Sequence, residues 1–135
     1  MLRRYSARSC CSSGEENALC HPDDRYLGDD ITIHQFAHTM HLQGVTLVFP
    51  AFNSELSNLY SAAKSGKYWG SGHYAMTNYI DYFAEGVQRY FDANYNDRNA
   101  PTTREQLKTK VPELFGLVQI QNLRLKKKVW TKAEH

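Results

Sequence analysis

The chain reads as a mainly helical domain with little or no sheet, and three observations carry that expectation. Apolar residues recur at helical spacing in two long segments, Ile33 to His41 and Ile80 to Phe91. Helix start and stop residues bracket the segments between and after them. No stretch ahead of Asp29 alternates apolar with polar residues as a half-buried strand would, so four or five helices and at most a short strand pair are expected.

Residues 1–28 are rich in Ser, Gly, Pro, Asp and Arg and lack an apolar period, which predicts an irregular N-terminal segment. Asp29 or Asp30 can then cap a helix whose inward positions are Ile33, Phe36, Ala37, Met40 and His41, with Gly44 as its stop. After a β-branched run from Val45 to Val48, Pro50 opens a second helix that carries Leu56, Leu59, Tyr60 and Ala63 and ends at Gly66. Gly66 to Gly72 forms a loop bearing Tyr68 and Trp69, aromatic residues that pack under such a loop more often than they line a cleft. A third helix, about Thr77 to Ala93, places Ile80, Phe83, Ala84, Val87 and Phe91 on one stripe. Thr102-Thr103-Arg104-Glu105 forms a capping box for a short fourth helix. Pro112 starts a fifth, with Leu114, Phe115, Leu117 and Val118, extending toward Leu123. The helical domain therefore runs over 29–122, and a basic tail over 123–135 carries Arg124, Lys126, Lys127, Lys128 and Lys132.

At 135 residues with 41% apolar content the chain can build one core. A net charge of +2 argues against an overall electrostatic role, and the basic tail reads as a solvated end. Nucleic-acid binding is not expected, because no recognised module and no basic-aromatic interleaving is present. Nor is a membrane span, since no run of 18 apolar residues exists. Met1-Leu2-Arg3-Arg4 resembles the basic start of a signal peptide, but Tyr5 to Gly14 supplies no apolar region behind it. Cys10, Cys11 and Cys20 lack the paired spacing of a zinc ribbon. A disulfide from Cys20 to Cys10 or Cys11 is the sharper reading, and three reduced thiols the plainer one.

The chemistry concentrates in His34-Gln35-Phe36-Ala37-His38. Two histidines at i and i+4 lie one turn apart on one helix face, so their imidazoles can converge on one metal ion. This is the H-E-x-x-H pattern with its glutamate replaced. A carboxylate at that position takes a proton from metal-bound water, whereas the Gln35 amide can hydrogen-bond water but cannot deprotonate it. On the third helix, Asp81 and Glu85 lie four residues apart beside the apolar stripe, and either can complete a three-ligand site with His34 and His38. His41 reads as a packed histidine and His73 as a loop residue near the site mouth.

His34-Gln-Phe-Ala-His38-Thr, Tyr74 and Thr77-Asn78-Tyr-Ile-Asp81-Tyr-Phe-Ala-Glu85 together resemble the catalytic half of the anthrax-lethal-factor-like zincin metallopeptidases, a gluzincin-type group. The stretch from Tyr82 to Gln88 is similar to one in secreted or hypothetical proteins, and the resemblance spans roughly Leu19 to Val118. It implies a zincin-like helical half, a Zn²⁺ cofactor and a peptide or protein substrate or ligand. It also implies secretion, with Asp81 at the third-ligand position and Tyr74 at that of a tyrosine that stabilises the tetrahedral intermediate. The glutamate matching Glu85 more often supports the ligands from behind them.

The departures from that family carry equal weight. Gln35 stands where the general base belongs. Asp81 stands where a glutamate belongs, which withdraws the carboxylate by about 1.5 Å when a zinc–oxygen bond tolerates only about 0.2 Å. A helix movement or an intervening water is expected to compensate, or Glu85 to serve instead. The sheet that normally precedes the first zincin helix is largely absent, so exposed apolar helix faces and an oligomer or a covering partner are expected. The sequence thus favours an impaired zincin-like pseudoenzyme that retains metal binding or only the fold. An active zinc peptidase, with Glu85 or a substrate group as substitute base, is the alternative. A non-enzymatic binding or structural protein is the second.

Overall fold

Asp30 opens the helical frame. In the computed structural model, which describes residues 13–66, 68–70, 72–94 and 100–133, the Asp30 carboxylate accepts the Ile33 backbone N–H at 3.0 Å. That caps α2 (Ile31–Met40) and satisfies one of the donors a helix start leaves over. Ahead of it lies a single-turn helix, α1 (Glu15–Ala18). The segment 13–28 is tied down rather than loose, through one side chain. Asn17 Nδ2 donates to the Asp24 carboxylate and to the Asp29 carbonyl, both at 2.7 Å, while its Oδ1 accepts the Ile31 N–H at 2.9 Å. Cys20 is an exposed free thiol. Its expected partners, Cys10 and Cys11, lie outside the described residues.

Gly44 does not stop the first long helix. A glycine reverses a helix by taking positive φ, and the glycines that do so here are Gly28 and Gly72. The chain instead widens into a π-helical segment, His41–Val45, and continues through a last helical turn over the β-branched run, α3 (Thr46–Val48). The inward face also differs from the expected one. Phe36 is 55% exposed, while His34, Ala37, His41 and Val45 are buried. His41 sits edge-on to Phe52 and Phe83, with ring centroids 5.0 and 5.3 Å away, and its Nε2–H donates to Asn53 Oδ1 at 2.7 Å. Burial lowers its pKa, as suits a packed neutral imidazole.

Pro50 precedes α4 (Phe52–Gly66), which buries Phe52, Leu56 and Ala63 and ends at the expected glycine. In the loop beyond it Trp69 is buried and Tyr68 exposed. A 3-10 turn over Tyr74–Met76 then leads to α5 (Tyr79–Tyr90), capped by Asn78, whose Oδ1 accepts the Asp81 N–H at 2.8 Å.

This helix is the axle of the fold. Every residue from Asp81 to Tyr90 is buried, so the expected single apolar stripe is replaced by burial all round, and Phe91 just past its end is exposed. Its neighbours are α2, α4, α6 (Arg104–Lys110) and α7 (Pro112–Ala133). Gly86 makes room for Leu114 of α7, because a Cβ there would lie 2.7 Å from Leu114 Cδ2. The capping box of α6 is displaced by one residue from the expected pair. Thr103 Oγ1 accepts the Gln106 N–H at 3.2 Å, and Gln106 Oε1 accepts the Thr102 N–H at 2.9 Å.

α7 carries helical backbone through most of the basic stretch, as far as Ala133. No strand occurs among the described residues; a single antiparallel bridge joins Asp29 to Asn94. Nor, among them, is any helix long and apolar enough to cross a membrane. Phe36, Leu42, Leu47 and Val48 stay exposed along α2, the π segment and α3.

Candidate metal centre

Two helices supply the site. The i, i+4 spacing in α2 sets His34 and His38 on the side that packs along α5, and Asn78 fixes Asp81 in the first turn of α5. His34 Nε2 and His38 Nε2 lie 3.0 Å apart. The Asp81 Oδ1 atom is 3.2 Å from the second and 3.8 Å from the first. Four ligands at zinc-like bond lengths of about 2.0–2.1 Å stand about 3.3 Å from one another, so these three atoms already have the separations of one face of a coordination tetrahedron. The residues His34, His38 and Asp81 could hold a metal ion.

The aspartate therefore needs neither a water nor a helix movement to compensate for its length. The α2–α5 packing brings its carboxylate up to the imidazoles, and Asn78 Nδ2 holds the other oxygen, Oδ2, at 2.7 Å. Glu85 lies outside the convergent group of His34, His38 and Asp81. Its Oε1 lies 3.3 Å from His34 Nδ1, the ring nitrogen turned away from the convergence point, and its Oε2 is 2.5 Å from Arg89 Nη1. It meets the back of the His34 ring instead, the place carboxylates take behind metal-bound histidines.

Arg89 has no exposed surface. Besides the carboxylate it donates to the Glu85 carbonyl at 3.1 Å and to the Pro101 carbonyl, and its guanidinium lies 4.9 Å from the Trp69 ring centroid. His73 belongs to this second layer rather than to the mouth. Its Nδ1 accepts the Ala75 N–H at 2.9 Å, capping the 3-10 turn, and its Nε2 is 3.3 Å from Arg89 Nη2.

The residue at the mouth is Tyr74, 56% exposed, its ring centroid 5.7 Å from that of His34. Burial of its hydroxyl and the adjoining Asp81 carboxylate raise its pKa, so it stays a protonated donor at neutral pH. Gln35, half-buried, follows His34 by about 100° of helical rotation.

In the metal-free protein the imidazole and carboxylates form an ion pair. Burial pulls the His34 pKa down, yet hydrogen bonds to Asp81, Glu85 and Gln88 together outweigh it and hold the value at about 9. Burial pushes Asp81 up, but His34, His38 and Asn78 keep its carboxyl well below the usual range. Glu85 is lowered in the same way, burial being outweighed by His34 and Arg89.

A raised histidine contributes stability that is complete below its ordinary 6.5 and lost as pH climbs through about 9. The depressed carboxylates contribute stability present above their ordinary range and lost as pH falls through their lowered values. A metal ion requires the neutral imidazole, so its binding strengthens over the same alkaline climb that weakens the pair. The metal-free melting temperature is therefore expected to fall between pH 6.5 and about 9 and an added divalent ion to reverse that fall. A metal-free melting temperature that rises across the window would contradict the pairing.

Three contributors escape a reading for ligands alone: Asn78, Gln88 and Arg89. Each has a sequence cue. Asparagine three residues ahead of an acid at a helix start is an N-cap pattern, Glu85 and Arg89 form an i, i+4 pair, and Asp81, Glu85 and Gln88 fall on one helix face at spacings of four and three. Neither a scan against protein-family models nor searches of curated proteins and of solved structures find a match.

Proposed function

We propose that this chain is a zincin-like zinc-binding domain, akin to the anthrax-lethal-factor-like metallopeptidases, whose peptidase chemistry is impaired at Gln35. The observation that carries the reading is the convergence of His34 Nε2, His38 Nε2 and Asp81 Oδ1 from two helices, with separations of 3.0 to 3.8 Å. Two imidazoles and a carboxylate suit Zn²⁺ and leave a fourth position for water or a ligand. Bound zinc lowers the pKa of such a water toward about 7.

The protein's own groups then divide in their roles. Glu85 and Gln88 hold His34 in place, Tyr74 can donate a hydrogen bond at the open side, and Gln35 can orient a water without removing its proton. The reading as a working peptidase needs a substitute base. Glu85 is poorly suited to that part, being engaged with Arg89 and His34 Nδ1 on the far side of the imidazole. A peptide or protein that binds at this face without being cleaved fits the arrangement, and both that partner and secretion follow from the family likeness.

The deciding measurement is metal content. The purified chain is expected to hold one zinc per molecule, and His38→Ala or Asp81→Ala to lower the affinity at least about 100-fold, since each removes one of three protein ligands. A wild-type chain that takes up no zinc from a micromolar solution overturns the proposal.

A further inference from the structure

Gln88 lies three residues beyond Glu85 on α5, and only 1% of its surface is exposed. Its amide Nε2 donates to the Asp30 carbonyl at 2.9 Å, and its Oε1 is 2.9 Å from His34 Nδ1. The same Asp30 carbonyl accepts the His34 backbone N–H at 3.3 Å. Both ends of His34, main chain and ring, are thus referred to one backbone atom.

That atom decides the chemistry. A carbonyl oxygen can only accept, so the Gln88 amide must turn its NH₂ toward Asp30 and its oxygen toward His34. An oxygen in that place requires a proton on His34 Nδ1. In a neutral ring the lone pair is then on Nε2, the atom that faces His38 and Asp81. With the amide reversed, an NH₂ would face Nδ1, favour the proton on Nε2 and place a hydrogen where a metal ion would bind. No water competes for these bonds, because His34 is 5% exposed.

We infer that Gln88 is a positioning residue whose amide, oriented by the Asp30 carbonyl, holds the neutral His34 ring in the Nδ1–H tautomer and so leaves Nε2 as the metal-binding nitrogen. This rests on the metal-binding reading above for its purpose but not for its structural content. Glu85 Oε1, at 3.3 Å from the same nitrogen, is the longer of the two contacts and carries the charge, whereas Gln88 carries the direction.

The test is ¹⁵N NMR of imidazole-labelled, metal-free protein at about pH 10, where neutral rings report their tautomers directly, coupled with zinc titration. Wild-type His34 is expected in the Nδ1–H form, with a nuclear Overhauser contact from that proton to the Gln88 amide. Gln88→Met removes the acceptor while leaving the Asp30 carbonyl its bond from His34 N–H. With Glu85 Oε1 left as the longer acceptor at 3.3 Å, it is expected to admit a detectable Nε2–H fraction and to weaken zinc binding about 10-fold, the low end for partners behind metal-bound histidines. Gln88→Glu retains an acceptor at that place and is expected to keep the Nδ1–H signature. Wild-type His34 in the Nε2–H form overturns the inference whether or not either variant folds. So does a folded Gln88→Met protein with an unchanged tautomer. A wild-type protein that shows the Nδ1–H form yet takes up no zinc overturns the metal-binding reading and leaves the tautomer assignment standing.

Discussion

Gln35→Glu is expected to raise peptide hydrolysis by the zinc-supplied chain at least about tenfold. The physical reason is a missing proton acceptor. Zinc can polarise a bound water, but a neutral amide beside it cannot take the proton as the nucleophile forms, and a placed general base typically contributes about 10²- to 10⁴-fold. Gln35 is half-buried and one residue from His34, so a carboxylate there replaces an amide of almost the same shape. The measurement is hydrolysis of a quenched fluorescent peptide library, with His38→Ala in the Gln35→Glu background as the control that must lose the gain. Wild-type activity equal to that of the variant would end the pseudoenzyme reading. Lengthening the third ligand, Asp81→Glu, is not expected to help. Asp81 Oδ1 already sits 3.2 Å from His38 Nε2, and another methylene would drive the carboxylate past its place.

The largest stability loss is expected from Arg89→Met. Removing one partner of a buried ion pair leaves the other charge stranded and costs about 3–5 kcal/mol, a third or more of the stability of many domains this size. Here the stranded group is Glu85, 2.5 Å from the guanidinium and then left with His34 alone. The Pro101 carbonyl loses its donor as well. Chemical denaturation of metal-free protein measures the effect, and a loss under about 1 kcal/mol would show that Arg89 fills space rather than balancing charge.

The ligand histidines were legible because helical geometry is local: i, i+4 on a face fixes the approach of His34 and His38 without knowledge of the rest. Spacing alone could not rank Asp81 above Glu85, and only the family resemblance preferred it, since the choice turns on how deep α5 sits against α2, a tertiary quantity. The burial of α5 all round was hidden for the opposite reason. Gln88 and Arg89 are polar and carry no burial signal of their own until their partners, His34 and Glu85, are known. Gly44 misled because glycine is read as a stop, whereas a π-helical turn absorbs it without positive φ. Phe36 misled because the apolar period of α2 competes with the imidazoles for the α5 side, and the imidazoles, with carboxylates to meet there, win.

The pairing of α2 with α5 has a consequence in polymer terms. His38 and Asp81 are separated by about 43 residues, and an unfolded chain would have to close that loop before both could grip one ion, with a loss of chain freedom of about (3/2)RT ln n, or roughly 3 kcal/mol. The folded helices have already closed it. An ion bound at this place therefore discriminates sharply between the folded and unfolded chain, and each tenfold excess of free metal over its dissociation constant adds about 1.4 kcal/mol to the folded side. The melting point of so small a domain becomes a gauge of the free metal around it.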